Sequence, residues 1–182
     1  MTVRVAAPSE HAAVRALSME AFGGDPGVGS LLDALRSSWA WREELSFVAE
    51  DGDGRLVGQV LYTAALLDAP SRLVEVLVLG PVGVLPALHG HGIGSRLITT
   101  SLGVVAARPE PVVFLEGHPT YYPRFGFVPG ASLGFVAPSL RIPPDAFMAL
   151  PMPGHEPWMT GTLVYPDAVW LADAVGLRDG DG

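Results

Sequence analysis

The stretch from Leu77 to Arg96, LVLGPVGVLPALHGHGIGSR, constrains the fold of this chain more than any other. An apolar, β-branched run through Leu77, Val78, Leu79, Val82 and Val84 ends at Pro86, and a glycine-punctuated loop then opens into an amphipathic segment beginning near Ile93. The order is strand, turn, helix. Gly90, Gly92 and Gly94 fall where the chain must turn sharply, and lacking Cβ atoms they let backbone N–H groups approach a ligand closely. The helix start adds unpaired N–H groups and the positive end of a dipole, so loop and helix together make a cradle for a phosphate. The glycine spacing is not the G-x-G-x-x-G dinucleotide fingerprint, and no Gly-Lys-Ser/Thr follows to make a P-loop.

Around this stretch the pattern alternates between short strands and helices. Val3 and Val5 read as a first strand, and Ser9 as the N-cap of a helix carrying Val14 and Leu17 until Gly23-Gly24 stops it. A second helix is expected over Val28 to Trp41, from Leu31, Leu32, Leu35 and Trp39. Phe47 and Ala49 alternate with polar neighbours up to the turn Asp51-Gly52-Asp53-Gly54, and an antiparallel partner runs from Arg55 to Leu67. The long strand from Leu73 towards Val84 is interrupted by Gly80-Pro81, where a ladder must bend or bulge. The helix after the loop is expected to run from Gly92 to about Arg108, with Ile93, Leu97, Ser101 and Val104 on its buried stripe. Val112 to Leu115 has the continuous apolar character of a buried parallel strand, and Phe147 to Leu150 and Gly161 to Tyr165 complete the sheet. A single domain over residues 1–175 is expected, followed by a glycine- and aspartate-rich tail, 176–182, expected to be disordered.

Composition excludes several classes. A net charge of -8 speaks against a nucleic-acid footprint, and the absence of cysteine excludes disulfides, thiolate metal sites and cysteine nucleophiles. His89 and His91 lie two apart with no third ligand nearby, so no metal is expected. No apolar run approaches the ~20 residues of a membrane span, and charges come too early at the N-terminus for a secretory signal, so a cytoplasmic setting without membrane contact is expected.

Two motifs carry a resemblance. His89-Gly90-His91-Gly92-Ile93-Gly94, preceded by Val84-Leu85-Pro86, is similar to the Gln/Arg-x-x-Gly-x-Gly/Ala loop of the GNAT superfamily of N-acetyltransferases, with histidine in place of the usual Gln or Arg at position 89. Gly117 to Phe127, GHPTYYPRFGF, resembles the Tyr-x-x-x-Gly-Phe signature closing that family's core, and looks like its YhbS-type branch. The resemblance implies an α/β (α+β) fold: a mixed, mostly antiparallel central sheet with one parallel pair, flanked by helices. It implies acetyl-CoA as co-substrate, a primary amine of a small molecule or peptide as acceptor, and direct attack in a ternary complex. Exposed sheet edges in this fold are also compatible with a homodimer.

Acetyl transfer needs an anchored diphosphate, a polarised thioester carbonyl, an unprotonated amine and a proton for the leaving thiolate. The resemblance assigns the first to the amides around His89, Gly90, His91, Gly92, Ile93, Gly94 and Ser95, and the second to Val82, Gly83 and Val84. Tyr122, four residues before Gly126, is the candidate acid, because a phenol ordinarily titrates near 10, above a thiol. The fourth-strand glutamate of several relatives falls here on Val78, and Glu75 lies about 23 Å from Val82 at about 3.3 Å per residue. Glu116 and His118 are nearer candidates for a base, beside a water chain or an amine that arrives neutral. In helical residues 22–45, Trp39 and Trp41 are candidates for lining an acceptor pocket. Two further readings stay open: a non-catalytic acyl-CoA sensor or scaffold, and a nucleotide-binding protein using the same cradle.

Overall fold

A computed structural model describes residues 1–176, which pack as two compact units. Six residues of the expected tail, 177–182, lie outside the described residues.

The first unit comprises Met1–Thr63 and Leu79–Arg108. It holds β1 (Thr2–Val5), α1 (His11–Ala21), α2 (Pro26–Arg36), β2 (Ser46–Glu50), most of β3 (Leu56–Asp68), the end of β4 (Leu73–Val84) and α3 (Ile93–Val105). β1 pairs antiparallel with β2 from Thr2↔Glu50 to Val5↔Phe47, and β2 with β3 from Ser46↔Leu61, the register shifting between Ala49 and Glu50. The connecting turn is held by Asp51, whose Oδ1 accepts from the N–H groups of Asp53 and Arg55 at 2.9 and 3.0 Å. A Cβ at Gly58 would meet Leu97 and Ile93 of α3, and one at Gly83 would meet Ala21 of α1. Helices therefore cover both faces here, which is why Val57 to Ala65 is buried without a solvent-facing alternation. The buried Tyr62 hydroxyl and Ser101 Oγ lie 2.8 Å apart and tie α3 to β3.

Three expected details differ. A 3-10 turn, Pro8–Glu10, precedes α1, and Ser9 does not cap it; Glu10 instead accepts from the Ala7 N–H at 2.8 Å and from Arg4. Ser9 lies inside this turn and so is not the flanking residue that an N-cap must be. α2 is capped by Asp25 and ends at Arg36, not Trp41, because the Ser37 and Ser38 hydroxyls bond back to the carbonyls of Asp33 and Leu35. Val104 is 47% exposed; the buried stripe of α3 runs through Ile98 and Val105 instead.

The second unit comprises Ala64–Val78 and the chain from Pro109. To the remainders of β3 and β4 it adds β5 (Val112–Glu116), β6 (Val128–Pro129), β7 (Phe135–Val136), β8 (Phe147–Pro151), β9 (Gly161–Val164) and α4 (Asp167–Leu171). β5 lies parallel to β4, with Leu77↔Val113 and Val78↔Phe114, and Val112 to Leu115 is fully buried as a parallel strand should be. β8 is antiparallel to both β5 and β6, while β9 is antiparallel to β3 and parallel to β7. Phe114 stacks on Phe147 at 5.6 Å and meets the Phe135 ring edge-on at 4.8 Å in the core of this unit. The mixed, mostly antiparallel sheet with a parallel pair and flanking helices is the expected one. β6 and β7, two residues each, have no period to read in sequence.

Candidate functional site

The end of β4 and the loop that follows belong to the first unit. Gly80 has φ +146°, a value reserved for glycine, and its peptide to Pro81 is cis. Val82 and Val84 are half-buried, and Gly83 is buried where a Cβ would lie 2.9 Å from Ala21 Cβ. Close approach of α1 is thus what requires glycine at 83. The Leu85 N–H returns to Val57 O at 3.0 Å, and a 3-10 turn over Pro86–Leu88 lifts the chain away from the strand.

Gly90 and Gly92 adopt φ +78° and +75°, and a Cβ on either would meet nothing within 4 Å. Backbone conformation, not crowding, demands glycine at both. Gly94 differs from the expectation: it is the second residue of α3, and Gly92 is the residue capping that helix. Arg96 is the residue whose N–H reaches back to Gly92 O, at 3.0 Å, so the Ile93 and Gly94 amides precede the intrahelical ladder. Both histidines brace the loop. His89 Nε2–H donates to Val84 O at 2.9 Å, and His91 Nδ1–H to His89 O at 2.9 Å, the tautomers following from carbonyl acceptors. His89 thereby fastens the loop to the strand it leaves, and the first unit brings Val82–Val84 and His89–Ser95 together. Among the described residues no group of three or more His, Asp or Glu is arranged to hold a metal ion.

Tyr122 and His118 belong to the second unit. A 3-10 turn, Tyr122–Phe125, ends at Gly126 with φ +94°, and Phe127 enters the core. The half-buried Tyr122 ring packs edge-on against Tyr121 at 5.1 Å and Phe127 at 5.9 Å. A Cβ at the buried Gly117 would stand 2.7 Å from Tyr122 Cδ2, so the missing side chain of Gly117 makes room for this ring. His118 is exposed; its Nδ1 lies 2.9 Å from Thr120 Oγ1 and 3.4 Å from Thr120 N. Glu116 is committed elsewhere: Tyr165 donates its hydroxyl at 2.6 Å and Gly176 its N–H at 2.8 Å. Burial pushes the Glu116 carboxyl up despite these donors, and burial followed by the neighbouring carboxylate pushes the Tyr165 phenol up. Gly176, expected in the tail, is therefore anchored.

Trp39 is 48% exposed, whereas Trp41 donates its Nε1–H to Glu43 at 2.8 Å and meets the His11 ring edge-on. Sequence reasoning missed Gln59, a fully buried polar residue against the end of β4. Its signal was a carboxamide inside an apolar strand.

The sheet with its parallel pair, and the strand that passes through a glycine loop onto a helix start, define an acyltransferase. Residues 2–130 match the family described as acetyltransferase (GNAT) domain, and the chain belongs to that family. It is 33% identical over 138 residues to the uncharacterized N-acetyltransferase YjhQ of Escherichia coli K12, covering 75% of each chain. A GNAT family acetyltransferase from Brucella melitensis, solved in complex with acetyl-CoA, is 29% identical with a TM-score of 0.72, over 92% of this chain and 96% of that one. The GNAT family N-acetyltransferase YhbS of Escherichia coli, solved with CoA, shares the fold at a TM-score of 0.80 and 22% identity, over 92% and 90%. Among the described residues no helix is long and apolar enough to cross a membrane.

Proposed function

We propose that the protein transfers the acetyl group of acetyl-CoA to a primary amine of a small molecule or peptide, by direct attack in a ternary complex. The observation that carries this reading is the pair of left-handed glycines, Gly90 and Gly92, that turn the chain onto the start of α3 directly after the Val82–Val84 segment. A diphosphate fits this cradle: the backbone is open on the glycine side, and the Ile93 and Gly94 amides precede the helical ladder. The acetyl-CoA complex of the Brucella relative supports the same ligand here.

In this reading the amides of Gly90–Ser95 bind the diphosphate, the His89 N–H being committed to Pro86 O at 3.2 Å, and an N–H of Val82–Val84 donates to the thioester oxygen as negative charge develops on it. The amine nitrogen forms its bond to the acetyl carbon while the carbon–sulfur bond breaks. Tyr122 gives its phenolic proton to the departing thiolate and recovers one from solvent. His118, an exposed imidazole whose Nδ1 accepts from the Thr120 N–H, takes the amine proton directly or through a water. The cytoplasm is the setting this reading calls for. Release of free thiol from acetyl-CoA against an amine panel tests it: Tyr122→Phe should lower kcat by about 10²-fold and leave coenzyme affinity unchanged. No thiol release with any amine, alongside tight acetyl-CoA binding, would favour a sensor instead.

A further inference from the structure

We propose that Gln59 is a positioning residue for acyl transfer, fixing the direction of the Val82 N–H; this rests on the reading of Val82–Val84 as the thioester-binding segment. Gln59 sits on β3 opposite Val48 and is fully buried. Its Nε2 donates to Pro81 O at 3.1 Å and lies 3.7 Å from where a Gly83 Cβ would be, so the carboxamide covers the backbone of residues 81–83.

Pro81 has no N–H, and its carbonyl is its whole backbone hydrogen-bonding capacity. The carbonyl of residue 81 and the N–H of residue 82 share one planar trans unit and point in opposite directions. Holding Pro81 O therefore aims the Val82 N–H away from Gln59 and resists rotation of that peptide. Gly80, at φ +146°, precedes Pro81, whose ring fixes φ but leaves ψ, the torsion that swings the Pro81 carbonyl, without a covalent restraint. The side-chain hydrogen bond restrains it instead.

The other end of the carboxamide reinforces the argument. Gln59 Oε1 is buried and has no hydrogen-bond partner among the described residues. A buried acceptor without a donor is unfavourable, and an apolar side chain of similar size would avoid it. The position carries an amide that stability alone does not favour, and what it provides is the donor to Pro81.

Gln59→Leu removes that donor at nearly constant volume. The expected result is a Tm and a CoA Kd close to wild type, a kcat lower by about ten-fold, and a change in the carbonyl stretch of bound acetyl-CoA. Difference infrared spectroscopy with ¹³C-labelled acetyl-CoA reads that stretch, which polarisation lowers in the wild type and which should move back towards the free value in Gln59→Leu. Gln59→Glu supplies a second reading. Protonated, it donates to Pro81 O; ionised, it cannot, so its kcat relative to wild type should fall as pH rises. A wild-type shift kept in Gln59→Leu, with kcat kept, overturns the proposal alone. Equal losses of Tm, CoA affinity and kcat, with a pH-independent Gln59→Glu ratio, overturn it in favour of a packing role. An unpolarised carbonyl in the wild type removes the reading of Val82–Val84, and the proposal with it.

Discussion

Gly117→Ala is the most discriminating perturbation of the proposed acid, because it keeps the Tyr122 hydroxyl chemically intact and displaces it together with its ring. A Cβ at position 117 would stand 2.7 Å from Tyr122 Cδ2 and 3.0 Å from Leu115 Cδ1. Comfortable carbon contacts are about 3.5–4.0 Å and Tyr122 Cε2 would lie nearer still, so something must yield by more than about 1 Å. The backbone is held, since the Gly117 N–H donates to Ala146 O at 3.0 Å and Leu115 is fully buried. The half-buried tyrosine ring is the part that gives. Overpacking of this kind costs roughly 1–3 kcal/mol, and each kcal/mol lowers Tm by about 2–4 °C in a chain of this length. A displacement of about 1 Å at a reacting group lowers rate by up to ~10²-fold. Steady-state thiol release, CoA calorimetry and a thermal melt on one preparation separate these effects: kcat should drop by at least ten-fold, CoA affinity should hold, and Tm should fall by several degrees. A Gly117→Ala enzyme with kcat within twofold of wild type, measured beside a strongly impaired Tyr122→Phe, would refute the reasoning.

Two other predictions concern stability and pH. Glu10 is held at about 2, against an ordinary 4.5, chiefly by Arg4 and then by the Ala7 N–H. A lowered carboxyl stabilises fully above about 4.5 and ceases to as pH falls towards 2. Glu10→Gln should therefore flatten the decline of Tm across that window; an unchanged acid limb would show that the Arg4 cluster contributes nothing. Tyr165→Phe strips a 2.6 Å donor from Glu116 and should cost about 1.5–3 kcal/mol. Because the Glu116 carboxyl is already raised by burial, its ionisation opposes folding as pH rises, so the variant should lose more Tm at pH 8 than at pH 4. A pH-independent loss would contradict that assignment.

What the sequence revealed, and what it concealed, follows from the range of each interaction. The loop was legible because Gly90 and Gly92 take backbone angles few other residues tolerate, and that requirement is local. The same logic failed at Gly94, since a glycine in the first turn of a helix looks no different from one that turns the chain. The parallel strand Val112–Glu116 was legible from its unbroken apolar run. The end of α2 was not, because Trp39 continues the helical spacing while Ser37 and Ser38 quietly close the helix. Glu116 lies 49 residues from Tyr165 and 60 from Gly176, a separation at which no local pattern announces a partner. Gln59 was hidden for a related reason: its value depends on a carbonyl 22 residues away.

The central claim is that the loop amides bind the diphosphate of CoA. Calorimetric titration of the purified protein with CoA, and separately with a pantetheine lacking the diphosphate, tests it most directly when repeated on Gly92→Val, whose side chain the +75° φ of that position does not accommodate. The account predicts saturable heat with CoA, at least a hundred-fold weaker affinity for the pantetheine, on the order of 3 kcal/mol, and loss of the difference in Gly92→Val. Equal affinities for the two ligands, or a Gly92→Val protein that binds CoA like the wild type, would contradict it.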